Sequence, residues 1–417
     1  MSPASDPEVS CRSYTAGDRD AVLQIWREVG WVDKEPHEQA LDAVLESGSC
    51  YVAALQESVE CLATVHAGRL RHLEEDLPAA CMTAVTTGRA ARRQGLAARL
   101  AAHALADHAA HGAAVALLGI FDQGFYNRLG FGNGSYERWA TFDPANLDMP
   151  VRPRVPVRLT IDDWERVHRG RLARLPRHGA CSILPAKLTR ADMLWTDNGF
   201  GLGFEDASGE LTSHLWCGTK AVEHGPYRVN WLAYRDRTAF LELLALLRNL
   251  GDQIHAITVH EPQGIQLQDL VRQPFRSHRI TARSPHESRI TAAAYWQARL
   301  LDLRSALAAT RLPDGPEVRF NLTLHDPVVD LLEPDAPWRG IAGNYTVTLG
   351  GTCEATPGHR TDLPTLAASV GAFTRMWLGV QPATGLSFTD ALSGPGELLR
   401  RLDRVLRLPE PRQDWDF

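Results

Sequence analysis

The segment at residues 84–100, AVTTGRAARRQGLAARL, constrains the fold most, because it puts a strand, a basic loop and a helix in immediate succession. The strand-like residues end near Thr87, and the loop RRQGLA at residues 92–97 leads into an Ala- and Leu-rich helix. This order directs backbone N–H groups and the positive end of a helix dipole at one point, which suits a pyrophosphate. Gly95 permits close approach of the backbone, and Ala97 keeps the first turn narrow. The motif predicts a phosphate-binding unit, and a plain basic helix start is the alternative.

The residues on either side alternate between strand-like and helix-like patterns. Strands are predicted at residues 50–55, 61–67, 81–87, 114–120, 198–205, 211–217, 254–260, 318–324 and 344–349. Helices are predicted at residues 18–29, 95–111, 237–250, 302–309, 363–372 and 396–406. The proline-rich segment 143–156 is a predicted linker, because proline fixes φ and removes backbone donors. A chain of 417 residues with this pattern is expected to be an α+β protein of about three domains.

A second motif, GFYNRLGFG at residues 124–132, follows the predicted strand 114–120. Together the two motifs resemble the GNAT acetyltransferases, in which an R/QxxGxG/A loop binds the CoA pyrophosphate and a later Y-x-x-x-G-F segment lies beside the thioester. The resemblance implies acetyl-CoA as acyl donor, with its pantetheine arm along the strand at Val85 and Thr87. It also implies that the pyrophosphate is bound by Arg92, Arg93, Gly95, Leu96 and Ala97.

The order of motifs along the whole chain narrows the resemblance. The GNAT-like motifs come first, the middle region has no second copy of the loop, and the sequence finishes with Trp415, Asp416 and Phe417. In this overall architecture the chain resembles the Eis family of bacterial aminoglycoside and lysine acetyltransferases. The resemblance implies a GNAT catalytic domain at residues 1–145, a degenerate GNAT-like domain at 157–288 and a sterol carrier protein-like domain at 289–417. It also implies a hexamer, whereas the identity of the substrate does not carry over.

Aminolysis of a thioester needs a neutral amine, a stabiliser for the oxyanion and a proton for the departing thiolate. The matched motif indicates Tyr126 as the general acid, and the amide of Val85 would polarise the carbonyl. By the family resemblance, the free α-carboxylate of Phe417 is the general base and Asp416 holds the incoming ammonium. An α-carboxyl with a pKa of about 3.5 needs burial or a water relay for that role. A purely packing Tyr126 and a frayed tail are the alternatives.

The acceptor side of the cleft is expected to contain Trp31 and Asp33, which follow the first predicted helix and lie close to Trp26. The resemblance places this helix and loop along the cleft. An aromatic wall with an acidic group suits a cationic amine. The alternative is that both tryptophans are core residues, because burial is the usual fate of such large apolar rings.

The composition limits which classes of partner and metal site are expected. A net charge of −6 argues against a nucleic-acid partner, which would need a basic surface to bind phosphates. The seven cysteines are scattered without CxxC spacing, which indicates reduced thiols in the cytoplasm and no zinc site. Residues 113–121, the longest apolar run, are too few for a membrane helix, and no secretory signal is visible. We therefore expect a cytoplasmic enzyme without metal, membrane or nucleic-acid partners.

The predicted function is acetyl transfer from acetyl-CoA directly to an amine of a small molecule, aminoglycoside-like or polyamine-like, or to a lysine side chain. Two alternatives stay open at this point. One is a dedicated protein or peptide lysine acetyltransferase. The other is a non-catalytic regulator that binds acyl-CoA without turnover.

Overall fold

The computed structural model describes residues 9–275, 280–313 and 315–416. In these ranges no helix is long and apolar enough to cross a membrane. The α-helices found there are α1 Arg19–Val29, α2 Glu35–Ser47, α3 Leu96–Ala110, α4 Trp164–Leu172, α5 Ala186–Leu194, α6 Arg237–Asn249, α7 Leu303–Ala308, α8 Val370–Trp377, α9 Ala383–Thr389 and α10 Gly396–Val405.

The strands of the described residues form three sheets. In chain order they are β1 Val9–Ser13, β2 Ser49–Leu55, β3 Ser58–His72, β4 Glu75–Thr87, β5 Val115–Gly119, β6 Gly132–Asn133, β7 Glu137–Phe142, β8 Val157–Leu159, β9 Cys181–Ile183, β10 Phe200–Glu205, β11 Leu211–Gly218, β12 Tyr227–Tyr234, β13 Ile257–His260, β14 Arg289–Ala293, β15 Trp296–Leu300, β16 Val318–His325, β17 Gly343–Leu349, β18 Glu354–Pro357, β19 Thr365–Ser369 and β20 Leu392–Ser393.

The first sheet has the order β1-β2-β3-β4-β5-β15-β6, and β9 adds to β3. Successive side chains of a strand point to opposite faces, so β5 serves two cores. Ala116 and Leu118 pack in the core that contains Leu100 of α3, whereas Leu117 packs in the core that contains Trp26 of α1. The sheet is therefore covered by α3 on one face and by α1 and α2 on the other.

The second sheet has the order β14-β7-β13-β12-β11-β10-β8. Its strands β12 and β13 pair in parallel, as β4 and β5 do in the first sheet, and α6 connects them. Leu243, Leu244 and Leu247 of α6 are fully buried in the core of this sheet. The strand–helix–strand order of the first sheet thus recurs in the second.

The third sheet, β18-β17-β16-β19-β20, packs with α8 and α10 around a core that continues into the first sheet. A buried ion pair joins the two regions, because Arg299 of β15 bonds Asp326 at 2.7 Å and both side chains are completely buried. The fold is a mixed α/β arrangement with two GNAT-like sheets and a further sheet, which agrees with the expected class at that level.

The prediction of a helix at residues 363–372 was wrong. The chain first forms β19, which pairs in parallel with β16, and α8 begins only at Val370. Along β19, Leu366 and Ala368 are buried while Thr365 and Ala367 are exposed, which is the two-residue period of a half-buried strand. Partnering with β16 overrode the helical reading of this Leu- and Ala-rich segment.

Four strands lie in a sheet that belongs mainly to another expected domain. β9, from the second expected domain, pairs with β3 of the first sheet, and β14, from the third, pairs with β7 in the second sheet. β7, at the end of the first expected domain, lies in the second sheet between β13 and β14. β15, at the start of the third, lies in the first sheet between β5 and β6. The three-domain division stays a prediction, and the sheets share strands across it.

Candidate active site

The strands β4 and β5 part at the edge of a cavity. They pair in parallel from Ala79 and Val115 to Met82 and Leu118, and β4 continues to Thr87. Beside this point Ala84 has a positive φ of 52° and the register between β3 and β4 shifts. Such a bulge bends a strand and re-aims its side chains and amides. The ends of both strands therefore border an opening between them.

The loop that follows β4 leads into an uncapped helix start. Gly95 is the N-cap of α3 with φ 78°, a conformation that favours glycine, and no side chain caps the helix. Arg92 and Arg93 are exposed beside it, whereas Leu96 is buried and anchors the first turn. Free N–H groups of a first turn with two adjacent guanidinium groups suit the phosphates of a CoA molecule. The residues at this site therefore fit the expected acyl donor.

The three other residues expected at the donor site, Val85, Thr87 and Ala97, lie in different surroundings. Val85 is nearly buried on the cavity wall. The hydroxyl of Thr87 lies 3.3 Å from the Cys61 thiol, at the end of β4. Ala97 is partly buried in the first turn of α3.

The cavity beside the opening has a volume of about 730 Å³ and is bordered by both the first and second sheets. Its wall includes Ala84 and Val85 of β4, Gly119 at the end of β5, and Tyr126. The side formed by the second sheet and the tail contributes Glu137, Trp139, Thr141, Tyr227, Arg228, Thr258, Arg289, Thr291 and Asp416. A molecule entering between the sheets would meet the strand opening and Tyr126 together.

Tyr126 begins a short 3-10 turn, Tyr126–Leu129, and is 3% exposed. Its ring is held by edge contacts with Phe125 at 4.8 Å and Phe131 at 6.1 Å between centroids. Burial raises the pKa of its phenol. The group therefore stays protonated at neutral pH and is able to donate a proton into the cavity.

The tail before Phe417 packs into the molecule. Asp414 receives two hydrogen bonds of 2.6 Å from Arg174, and Trp415 is buried with the Arg171 guanidinium 3.7 Å from its ring centroid. Asp416 is exposed on the cavity wall. Phe417, the expected general base, lies outside the described residues. The charged and aromatic contacts of Asp414 and Trp415 thus deliver Asp416 to the cavity.

Residues 10–134 match the sequence model of a family described as an acetyltransferase (GNAT) domain. This stretch of the chain is a GNAT acetyltransferase domain. The expectation that the chain is an N-acetyltransferase enzyme is thereby confirmed. Among curated proteins, no sequence matches the chain.

Solved structures share the fold over the whole length. A conserved protein from Enterococcus faecalis is 17% identical with a TM-score of 0.78, covering 98% of this chain and 100% of that one. A GCN5-related N-acetyltransferase from Kribbella flavida is 17% identical with a TM-score of 0.74, covering 99% of both chains. Eis1 from Mycobacterium abscessus is 18% identical with a TM-score of 0.75, covering 98% of this chain and 100% of that one. These likenesses show that the regions beyond the GNAT domain follow a shared arrangement.

Trp31 and Asp33, the acceptor residues expected within the GNAT domain, are not brought together. Trp31 is 38% exposed on the cavity wall, with its ring 5.3 Å from that of the fully buried Trp26. The Asp33 carboxylate instead lies 2.8 Å from Nδ1 of His37, and Asp33 is absent from the described cavity wall. Asp416 is the predicted acidic group that does face the cavity.

Sequence reasoning missed Glu137. It is 4% exposed on the cavity wall, and its Oε2 accepts a 3.2 Å hydrogen bond from the Tyr295 amide. Burial, with a smaller contribution from Asp416, raises the pKa of Glu137 to about 7. The available signal was a carboxylate at the start of the strand-like run ERWATF, where a charged side chain is out of place unless it has a partner or a task.

Proposed function

We propose that the enzyme transfers the acetyl group of acetyl-CoA directly to an amine of a small molecule, aminoglycoside-like or polyamine-like, or of a lysine side chain. The observation that carries this proposal is the single cavity that joins the opening between β4 and β5, Tyr126 and two carboxylates, Glu137 and Asp416. A thioester bound along β4 and an amine bound from the second sheet would meet there.

Acetyl-CoA is proposed to lie along the end of β4 and at the start of α3. Val85 and Thr87 bind the pantetheine arm along the end of β4, and the Val85 amide polarises the thioester carbonyl. The pyrophosphate lies at the start of α3 with Arg92 and Arg93. This is supported by the uncapped helix and the positive φ of Gly95.

Tyr126 is the proposed general acid. Its phenol is buried on the cavity wall, and burial raises its pKa, so it holds a proton until the thiolate leaves. Proton donation matters at this step because a thiolate is a poorer leaving group than a thiol. Phe417, the general base that the family resemblance implies, lies outside the described residues.

The acceptor side suits a cationic amine. Trp31, Trp139 and Tyr227 contribute aromatic faces or edges to the cavity, and Asp416 is a carboxylate at its wall. Aromatic rings attract ammonium groups, and a nearby carboxylate raises their local concentration. Asp33 is not part of the proposed acceptor site, since its carboxylate is directed to His37.

An acceptor screen tests the proposal. Free CoA release is followed with acetyl-CoA and spermidine, kanamycin or a lysine-containing peptide, and acetyl-CoA binding is measured by calorimetry. Turnover with a small amine supports the proposal. Turnover with the peptide alone would indicate a dedicated lysine acetyltransferase, and binding without any turnover would contradict acetyl transfer.

We further propose that the chain is Eis-like, with a sterol carrier protein-like region after the second sheet, and that it forms a cytoplasmic hexamer. The support is the full-length likeness to Eis1 and the separate five-stranded sheet of residues 318–393. Light scattering on a sizing column tests the hexamer, because a monomer or dimer would contradict it.

A further inference from the structure

Glu137 is connected to the end of β5 through one residue. The carbonyl of Tyr295 accepts a 2.7 Å hydrogen bond from the amide of Ile120, which directly follows β5. The amide of Tyr295 in turn donates to Glu137 Oε2 at 3.2 Å. Ile120, Tyr295 and Glu137 all lie on the cavity wall with Tyr126. The carboxylate is therefore positioned beside the strand end where the thioester is proposed to lie.

Few groups on this wall are able to accept a proton. Among the described residues that border the cavity, the carboxylates are Glu137 and Asp416, and no histidine or cysteine occurs. Asp416 is exposed, whereas Glu137 is almost fully buried and receives one amide hydrogen bond. Tyr126 retains its proton because burial raises its pKa. Glu137 is thus the buried proton acceptor of the cavity.

The charges facing Glu137 come from several elements. Asp416 of the tail raises its pKa, while the Tyr295 amide and Arg228 of β12 lower it, and burial outweighs them all. Arg289 of β14 also borders the cavity. His260 of β13 stacks on Trp139, and burial lowers its pKa, so it is neutral near pH 7. The net result is a carboxyl group whose pKa is about 7.

We propose that Glu137 is the catalytic base that removes a proton from the acceptor ammonium. This rests on the proposed acetyl transfer. Glu137 takes one ammonium proton, the free amine nitrogen forms a bond to the thioester carbonyl carbon, and the carbon–sulfur bond breaks. Tyr126 gives its proton to the sulfur and is restored by the second nitrogen proton, while Glu137 releases its own to water. A base with a pKa near the working pH is efficient in this role.

Kinetics of Glu137→Gln against pH test the proposal, with spermidine, kanamycin and a lysine-containing peptide as acceptor probes. The amide keeps the size of the side chain and still accepts the Tyr295 hydrogen bond. We expect kcat at pH 7 to fall about 10²–10³-fold, with acetyl-CoA affinity unchanged by calorimetry. The loss should shrink as the pH approaches the pKa of the amine, which then arrives already deprotonated. A matched control is Glu354→Gln on exposed β18, which should match the wild type.

The wild-type pH profile has a defined sign. Because Glu137 is protonated below about pH 7, kcat/KM should rise as the pH passes through about 7, and Glu137→Gln should lose this limb. Difference infrared titration of wild type against Glu137→Gln gives a readout without turnover. A carboxylic-acid band that disappears near neutral pH supports the proposal.

Four results would overturn it. If Glu137→Gln keeps a kcat within threefold of wild type and an unchanged pH profile, Glu137 is not the base, although the proposed acetyl transfer still stands. A Glu137 carboxyl that titrates far below neutral pH leads to the same conclusion. If deletion of Phe417 abolishes the pH-dependent limb while Glu137→Gln keeps it, the base lies in the tail. If the wild type acetylates none of the probes although it binds acetyl-CoA, the proposed function and the base fall together.

Discussion

The parallel strand pairs of the first and second sheets, β4–β5 and β12–β13, differ at the helix that follows each first strand. After β4, residues 88–95 form a loop, and α3 begins at Gly95 without a side-chain cap. After β12, only residues 235–236 intervene, and the Asp236 carboxylate accepts a 2.9 Å hydrogen bond from the Ala239 amide at the start of α6. The same strand–helix–strand order therefore has an open helix start in one sheet and an occupied one in the other.

The difference shows what makes such a unit able to bind a phosphate. A helix start favours a negative charge, and in α6 the chain's own carboxylate supplies it. The short connection also leaves no loop to carry arginines or to surround a pyrophosphate. In α3 the amides are left for a ligand, while Arg89 fixes the loop by bonding Glu28 through its amide at 2.7 Å. The second sheet therefore has the same strand–helix–strand scaffold without an uncapped helix start.

The largest expected effect comes from the tyrosines that the two sheets direct to the shared cavity. Tyr126→Phe should lower kcat by about 10²–10⁴, the usual contribution of a general acid, with acetyl-CoA affinity nearly intact. Tyr227→Phe should change kcat less than about threefold, because its hydroxyl is already bound to the Val222 carbonyl at 2.7 Å. Steady-state kinetics of the two variants test this difference. Equal losses of kcat would mean that neither phenol is the general acid.

A carboxylate at the start of α3, like that of Asp236 at the start of α6, should weaken the binding of acetyl-CoA. Gly95→Asp puts a carboxylate at the start of α3, where like charges about 4 Å apart repel by about 4 kcal/mol at an effective dielectric of 20. Gly95→Asn bears the same backbone cost without the charge, since both residues tolerate this conformation. Solvent and salt screen part of this repulsion at an exposed site, so we expect the Asp variant to bind acetyl-CoA on the order of a hundredfold more weakly than the Asn variant, which corresponds to about 2.7 kcal/mol. Equal affinities by calorimetry would place the pyrophosphate elsewhere.

The arginines of the loop should contribute a smaller amount. Arg92→Ala should weaken acetyl-CoA binding by about 1–3 kcal/mol, the usual value of a charged hydrogen bond. Arg237→Ala, at the exposed start of α6, is the matched control and should leave the affinity unchanged. Calorimetry on both folded variants checks this. If the two lose affinity alike, the effect is one of overall charge.

The smallest effect is expected from opening the second helix start. Asp236→Ala removes an N-cap and should lower the free energy of unfolding by about 1 kcal/mol in a urea titration. Acetyl-CoA stoichiometry should not change, because the loop is still missing. A second bound equivalent in calorimetry would show that the Asp236 carboxylate alone closes the site.

The sequence predicted the first strand–helix–strand unit well. The helix expected at residues 95–111 is α3, and the strand expected at 114–120 is β5. Both are short-range features, since loop, glycine and apolar period lie within one continuous stretch. By contrast, β19 was read as a helix, because its pairing with β16 joins residues more than forty positions apart.

The sequence by itself determined the strand–loop–helix unit of the first sheet and the segment at Tyr126, which form the proposed donor half, because loop, glycine and apolar period carry their own local signals. Only the tertiary structure decided what faces them. β15 enters the first sheet from a distant part of the chain, and Tyr295 beside it connects β5 to Glu137. Burial in that arrangement raises the pKa of Glu137 to about 7. Burial by segments that are distant in the chain leaves no local pattern in a sequence. Glu137 could therefore be recognised as a candidate base only from the folded structure, in which burial raises its pKa.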